Sequence, residues 1–126
     1  MPGIRQILGA RGERVAARYL RRHGYAIVRR NYRGRHGEID LVALDGGVLV
    51  FVEVKTRAQD RFGAPLEAVD RRKQRQIARV AEEFLEEHRL HERAIRFDLV
   101  GVRRRGWRWD VEHVRDAFEV GGAFSF

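Results

Sequence analysis

The sequence predicts one α/β domain, a mixed β-sheet flanked by helices in the order α-β-β-β-α-β-β. Three observations carry that expectation. Two β-rich segments, Glu38–Asp45 and Val48–Arg57, flank Gly46-Gly47, a strong hairpin signal. A long helical pattern separates this hairpin from two further strands, so the chain crosses over and the sheet becomes mixed. The apolar fraction of 44% over 126 residues fills one core and not comfortably two.

The first helix is expected from about Ile7 to His23, where Leu8, Val15, Ala16, Tyr19 and Leu20 recur at helical spacing, and Gly24 ends it. Tyr25 to Arg33 reads as a strand with Tyr25, Ile27 and Val28 turned inward. A basic turn, Arg33-Gly34-Arg35-His36-Gly37, leads into the hairpin, and a loop from Ala58 to Pro65 leaves it. The longest helix starts at Leu66 or Asp70 and runs to about His88, with Ile77, Val80, Ala81, Phe84 and Leu85 forming its apolar stripe. Ile95–Arg104 and Trp107–Val114 read as two more strands around a turn at Arg105-Gly106. Trp107 and Trp109 are expected to pack at the core or its rim. Residues 1–120 then form the single domain, and 121–126, rich in Gly and Phe, a loose C-terminal tail.

Composition narrows the function classes. Lys and Arg number 26 against 18 Asp and Glu, a formal net charge of +8 that points to an anionic polymer as partner. Cysteine is absent, which excludes thiolate nucleophiles and Cys-based zinc or iron–sulfur sites. The longest apolar run, Val48–Val52, is too short to span a bilayer, and the N-terminus has no apolar signal segment. A cytoplasmic location with no membrane partner is therefore expected. Among the 26 basic residues only Lys55 and Lys73 are lysine, so an ammonium is singled out at those positions.

The hairpin brings chemistry together. If Gly46-Gly47 form a two-residue turn, Asp45 pairs with Val48, Asp40 faces Glu53 and Glu38 faces Lys55. Asp40, Glu53 and Lys55 then share one face with Val42, Leu44, Leu49 and Phe51, while Ile39, Leu41, Val48, Val50, Val52 and Val54 take the other. Directly opposed side chains have Cβ atoms about 4.5–5.5 Å apart, so the two carboxylates can share one cation. Like charges across a ladder repel each other, and a divalent metal with hard oxygen ligands, such as Mg²⁺, resolves the conflict. Lys55 would orient the attacking water or stabilise charge on a phosphate oxygen. The alternative is a Glu38–Lys55 ion pair with Asp40 and Glu53 solvated at the strand ends. Glu13, at the rim of the first helix's apolar stripe, can reach the sheet end or remain a solvated helix residue.

The long helix has Arg71, Arg72, Lys73 and Arg75 at its positive end and Glu82, Glu83, Glu86 and Glu87 at its negative end, after a plausible N-cap at Asp70. That placement opposes the macrodipole and suits a phosphate at the helix N-terminus. Arg57 and Arg61 in the adjoining loop, with Arg33 and Arg35 before the hairpin, extend the same basic rim. Arg103-Arg104-Arg105 is a turn-borne charge run able to touch phosphate.

Gly12-Glu13, Gly24-Tyr25, Asn31, Gly37-Glu38-Ile39-Asp40-Leu41, Phe51-Val52-Glu53-Val54-Lys55, Arg57, Phe62-Gly63, Lys73 and Arg96-Phe97-Asp98 together resemble the YraN-type family of small bacterial proteins. That family is similar in fold to archaeal Holliday-junction resolvases and to the wider PD-(D/E)xK, or restriction-endonuclease-like, nucleases. The likeness covers nearly the whole chain; Ile39 stands where the superfamily's name has proline. It implies a restriction-endonuclease-like mixed sheet and a Mg²⁺- or Mn²⁺-dependent endonuclease acting on DNA, with branched or Holliday-junction-like DNA among the substrates. Asp40 and Glu53, with the Val54 carbonyl, would hold the metal, and Glu13 would join through water or a second metal. Lys55 would stand beside the scissile phosphate, and a homodimer is expected by analogy with enzymes that cut two strands. The tail residues Phe124 and Phe126 could dock at its interface. The competing class is a non-catalytic nucleic-acid-binding protein, or an accessory subunit, that keeps the nuclease fold.

Overall fold

The computed structural model describes residues 3–57 and 69–119. Helix α1 (Ile4–Arg22) precedes strands β1 (Ala26–Gly34), β2 (Gly37–Asp45) and β3 (Val48–Arg57). Helix α2 (Arg71–His88) follows, then β4 (Ile95–Arg105) and β5 (Arg108–Val114). The expected element order holds. Helix α1 begins about one turn earlier than the apolar spacing indicates, and α2 begins at Arg71, where the Asp70 carboxylate accepts from the Lys73 N–H at 2.8 Å. The loop Ala58–Pro65 with Arg61, the alternative start at Leu66, and the tail 121–126 with Phe124 and Phe126 lie outside the described residues.

The five strands form one open sheet in the order β1-β2-β3-β4-β5, antiparallel except for the parallel β3–β4 pair that α2 spans as a crossover. The Gly46-Gly47 turn sets the expected register, with Asp45 opposite Val48 and Leu41 opposite Val52. The chain packs as three layers. On one face Ile77, Val80, Phe84 and Leu85 of α2 cover Val42, Leu49, Phe51 and Phe97. On the other, Ala16, Ala17 and Leu20 of α1 cover Leu41, Val50, Val52, Val100 and Val102. A strand sealed on both faces is apolar on both, which explains the near-continuous run in β3.

Three side chains depart from their expected places. Val28 is 48% exposed, because the β1–β2 register shifts between Ile27 and Arg29 and breaks the alternation there. Ile39 joins the α2-side cluster although Leu41 joins the α1-side cluster. Strict alternation forbids that, so the two strands must turn over between them. Asn31, which stands between Arg30 (opposite Leu41) and Tyr32 (opposite Ile39), takes φ +50° at this point. Asparagine is one of the few side chains that adopts this conformation readily. Trp107 is 83% exposed at the β4–β5 turn, whereas Trp109 packs against the α1-side core as expected.

Candidate metal centre and nucleic-acid interface

The β2–β3 ladder ends at the Leu41–Val52 rung. The next rungs would oppose Asp40 to Glu53 and Ile39 to Val54. Instead the strands part, and Asp40 Oδ2 accepts the Val54 N–H at 2.8 Å in place of a backbone carbonyl. A strand residue presents its N–H and C=O to the same neighbour, so the Val54 carbonyl also faces the gap beside Asp40. The Asp40 and Glu53 carboxyls lie side by side at this gap, close enough for Glu53 to raise the Asp40 pKa. Glu53 is only 12% exposed and receives Lys73 Nζ at 3.5 Å from the first turn of α2.

Glu13 enters from the opposite layer because α1 comes unusually close to the sheet at Gly12. A Cβ there would collide with Thr56 Oγ1 and approach Val102 Cγ2 within 2.9 Å, so only glycine lets the helix settle at this height. The Asn31 amide nitrogen, in the orientation its acceptor neighbours require, lies 2.6 Å from Glu13 Oε1 and 3.1 Å from Glu38 Oε1. Glu38 also binds Arg33 across the β1–β2 strands at 3.1 Å. The Glu38–Lys55 ion pair allowed by simple register does not form among the described residues. Lys55 keeps no hydrogen bond or ion pair there and is half-buried on β3.

Glu13, Glu38, Asp40 and Glu53 gather at this end of the sheet, with Arg33 on Glu38 and Lys73 on Glu53. Burial pushes the Asp40 carboxyl up to about 8, aided by Glu53 and opposed by the Val54 N–H and Lys73. Burial likewise pushes Glu13 up to about 7, with Asp40 and Glu38 adding to it and Arg30 opposing. The paired carboxylate oxygens of Asp40 and Glu53 are the hard donors that suit a divalent cation.

The basic residues ring this end of the sheet. Arg33 and Arg35, 81% and 88% exposed, flank the β1–β2 turn. That turn is clamped to α2: Glu83 accepts the Arg35 N–H at 2.8 Å and the His36 N–H at 3.3 Å, and Gln76 Nε2 donates to the His36 carbonyl at 2.9 Å. Arg71, Arg72 and Arg75 lie exposed on the first turns of α2, and Arg57 ends β3. Lys73, expected among the backbone contacts, sits instead against Glu53. Asn31 and Glu38 are polar partners of the site that spacing alone does not reveal. Both stand among the residues that carry the YraN-type resemblance, and the positive φ of Asn31 gives one physical reason for the asparagine.

A family model described as "Uncharacterised protein family UPF0102" matches residues 12–102, from the glycine that seats α1 to the valine it packs against. The chain belongs to the UPF0102 family. It is 51% identical over 112 residues to a UPF0102 protein of Rhodococcus opacus, covering 88% of this chain and 95% of that one. It is 46% identical over 113 residues to a UPF0102 protein of Geobacter metallireducens, covering 90% and 93%. A third relative, a UPF0102 protein of Chlorobaculum tepidum, is 45% identical over 122 residues, covering 92% and 95%. The YraN-type resemblance is thereby borne out. No helix among the described residues is long and apolar enough to cross a membrane.

Proposed function

We propose that this UPF0102 protein is a Mg²⁺- or Mn²⁺-dependent phosphodiesterase that cuts DNA. The observation that carries the reading is the half-buried Asp40–Glu53 carboxylate pair at the point where β2 and β3 part. Asp40, Glu53 and the Val54 carbonyl would hold the metal, and Glu13 would join through water or a second metal. When bound, the cation supplies neutralisation of the carboxylates and polarisation of the scissile phosphate. Lys55 places an ammonium beside that phosphate, where it orients the attacking water and stabilises charge on the non-bridging oxygens as the leaving oxygen departs. Lys73 holds Glu53 until substrate arrives. Arg33, Arg35, Arg57, Arg71, Arg72 and Arg75 grip the sugar–phosphate backbone and read no bases.

Incubation of labelled four-way junction, flap, single-stranded and duplex DNA with Mg²⁺, Mn²⁺ or EDTA tests this. Cleavage is expected only with a metal. Lys55→Ala should lose it while binding DNA within about threefold of the native protein, since one phosphate contact among many contributes little to affinity. Unchanged cleavage by Lys55→Ala would refute the assignment. Metal-independent binding without cutting, in both proteins, would favour the non-catalytic binder.

A further inference from the structure

The β4–β5 hairpin carries a feature that the phosphodiesterase reading does not use. β4 pairs in parallel with β3 and aligns Gly101 with Lys55 and Arg103 with Arg57, then continues to Arg105. At about 3.3 Å per residue, its end stands about 13 Å beyond the Lys55 rung, on the same end of the sheet as the carboxylates. Arg105 pairs with Arg108, so Gly106 and Trp107 form a two-residue loop, and Gly106 takes the φ of +62° that such a loop demands.

Trp107, at this tip, is 83% exposed, so burial does not explain a residue of that size there. The Arg108 guanidinium lies over the Trp107 ring at 5.3 Å, and that of Arg104 over Trp109 at 6.0 Å. Arg104 Nε donates to the Gly106 carbonyl at 2.8 Å and so braces the loop. Asp110 accepts from Arg103 and Arg105 at 3.1 Å each, which fixes the remaining arginines along the strand. The tip carries an exposed indole with the Arg108 guanidinium against it, on a loop that Arg104 braces.

We infer that Trp107 is a stacking platform for an unpaired base of the nucleic-acid strand held at the candidate metal centre. An exposed π-face beside fixed cations complements a base and its flanking phosphates together. A duplex buries its base faces, so the platform serves a frayed end, an overhang or the unpaired nucleotides of a branch. This rests on the phosphodiesterase reading and names its substrate class: DNA with unpaired nucleotides a short distance from the cut.

The test uses two variants in EDTA. In Trp109→Phe, Trp107 is the only tryptophan, and its fluorescence should be quenched by an oligothymidylate and by a duplex with a 3′ overhang, but little by a blunt duplex at equal phosphate. In the otherwise native protein, Trp107→Ala should weaken binding of the oligothymidylate and the overhang duplex about tenfold, with blunt-duplex affinity within twofold. Trp107→Phe should restore most of the loss. Equal weakening on all three DNAs, or binding without quenching, would overturn the stacking platform while leaving the phosphodiesterase reading intact. Failure to bind any of the DNAs would overturn both. Trp107-dependent self-association in sedimentation, with no DNA effect, would assign the tip to a second copy of the chain instead.

Discussion

Asp40 destabilises the metal-free protein, and the sign of its effect follows from its surroundings. Folded, the carboxyl keeps its proton up to about 8; unfolded, it releases it near its ordinary 3.8. Between these values the folded chain binds the extra proton, so its stability falls as pH rises through the window. Asn at this position still accepts the Val54 N–H and gains a donor for Glu53. Asp40→Asn is therefore expected to raise stability in EDTA by about 1–3 kcal/mol at pH 8 and to change little near pH 4, as read by urea denaturation. A less stable variant at pH 8 would contradict the burial argument. Asp98 behaves in the opposite way. Burial alone would raise its pKa, but hydrogen bonds from His113, Arg96 and the Asp116 N–H outweigh it and hold the carboxyl down at about 2. At 1% exposure it joins β4 to β5 and, through Arg96, to Asp45 and Tyr25. Its contribution is present above about pH 4 and lost as pH falls towards 2, so Asp98→Asn should cost about 3–5 kcal/mol at pH 7 and clearly less at pH 3, measured by urea melts.

The contact between α1 and the sheet places Glu13, and its height is set by the missing side chain at Gly12. Gly12→Ala should cost about 1–3 kcal/mol, because a methyl group collides with Thr56 Oγ1 in a packed interface. Adding Thr56→Ala removes the hydroxyl and should recover part of that cost in a double-mutant cycle; strict additivity would place the strain elsewhere. The elements themselves were legible. A two-glycine turn permits one tight register, so the hairpin could be aligned by counting, and the i, i+3, i+4, i+7 stripe of α2 allowed one face inward. That register leads to the expectation that Asp40 meets Glu53, although the ladder itself stops at the Leu41–Val52 rung. What sequence could not reveal is where the pattern breaks. The inversion between Ile39 and Leu41, the bulge that exposes Val28 and the diversion of Lys73 to Glu53 all arise from three-dimensional fit, and no local spacing encodes them. Trp107 is expected at the core or its rim because tryptophan usually packs there; its place at the hairpin tip leaves it 83% exposed among the described residues.

At the scale of the molecule, topology gathers the chemistry at one end. Antiparallel β2 and β3 bring the start of one to the end of the other, and the parallel β3–β4 pair carries the β4–β5 tip past the same edge. The α1 face delivers Glu13 and the start of α2 delivers Lys73, while Asp98, one rung from Glu53, ties β4 to β5 and through Arg96 to Asp45 and Tyr25. On the proposed reading, the net charge of +8 would draw a polyanion towards the half-buried Asp40–Glu53 pair. DNA affinity should accordingly fall steeply between 50 and 200 mM salt, by about 10³-fold if six phosphates are engaged. The most direct test of the central claim compares Mn²⁺-dependent DNA cleavage by the native protein and by Asp40→Asn. The variant is expected to be the more stable protein, so loss of cutting cannot be ascribed to unfolding. The account predicts metal-dependent cleavage by the native chain and none above background by Asp40→Asn, with DNA binding retained. Equal cleavage by both would contradict it.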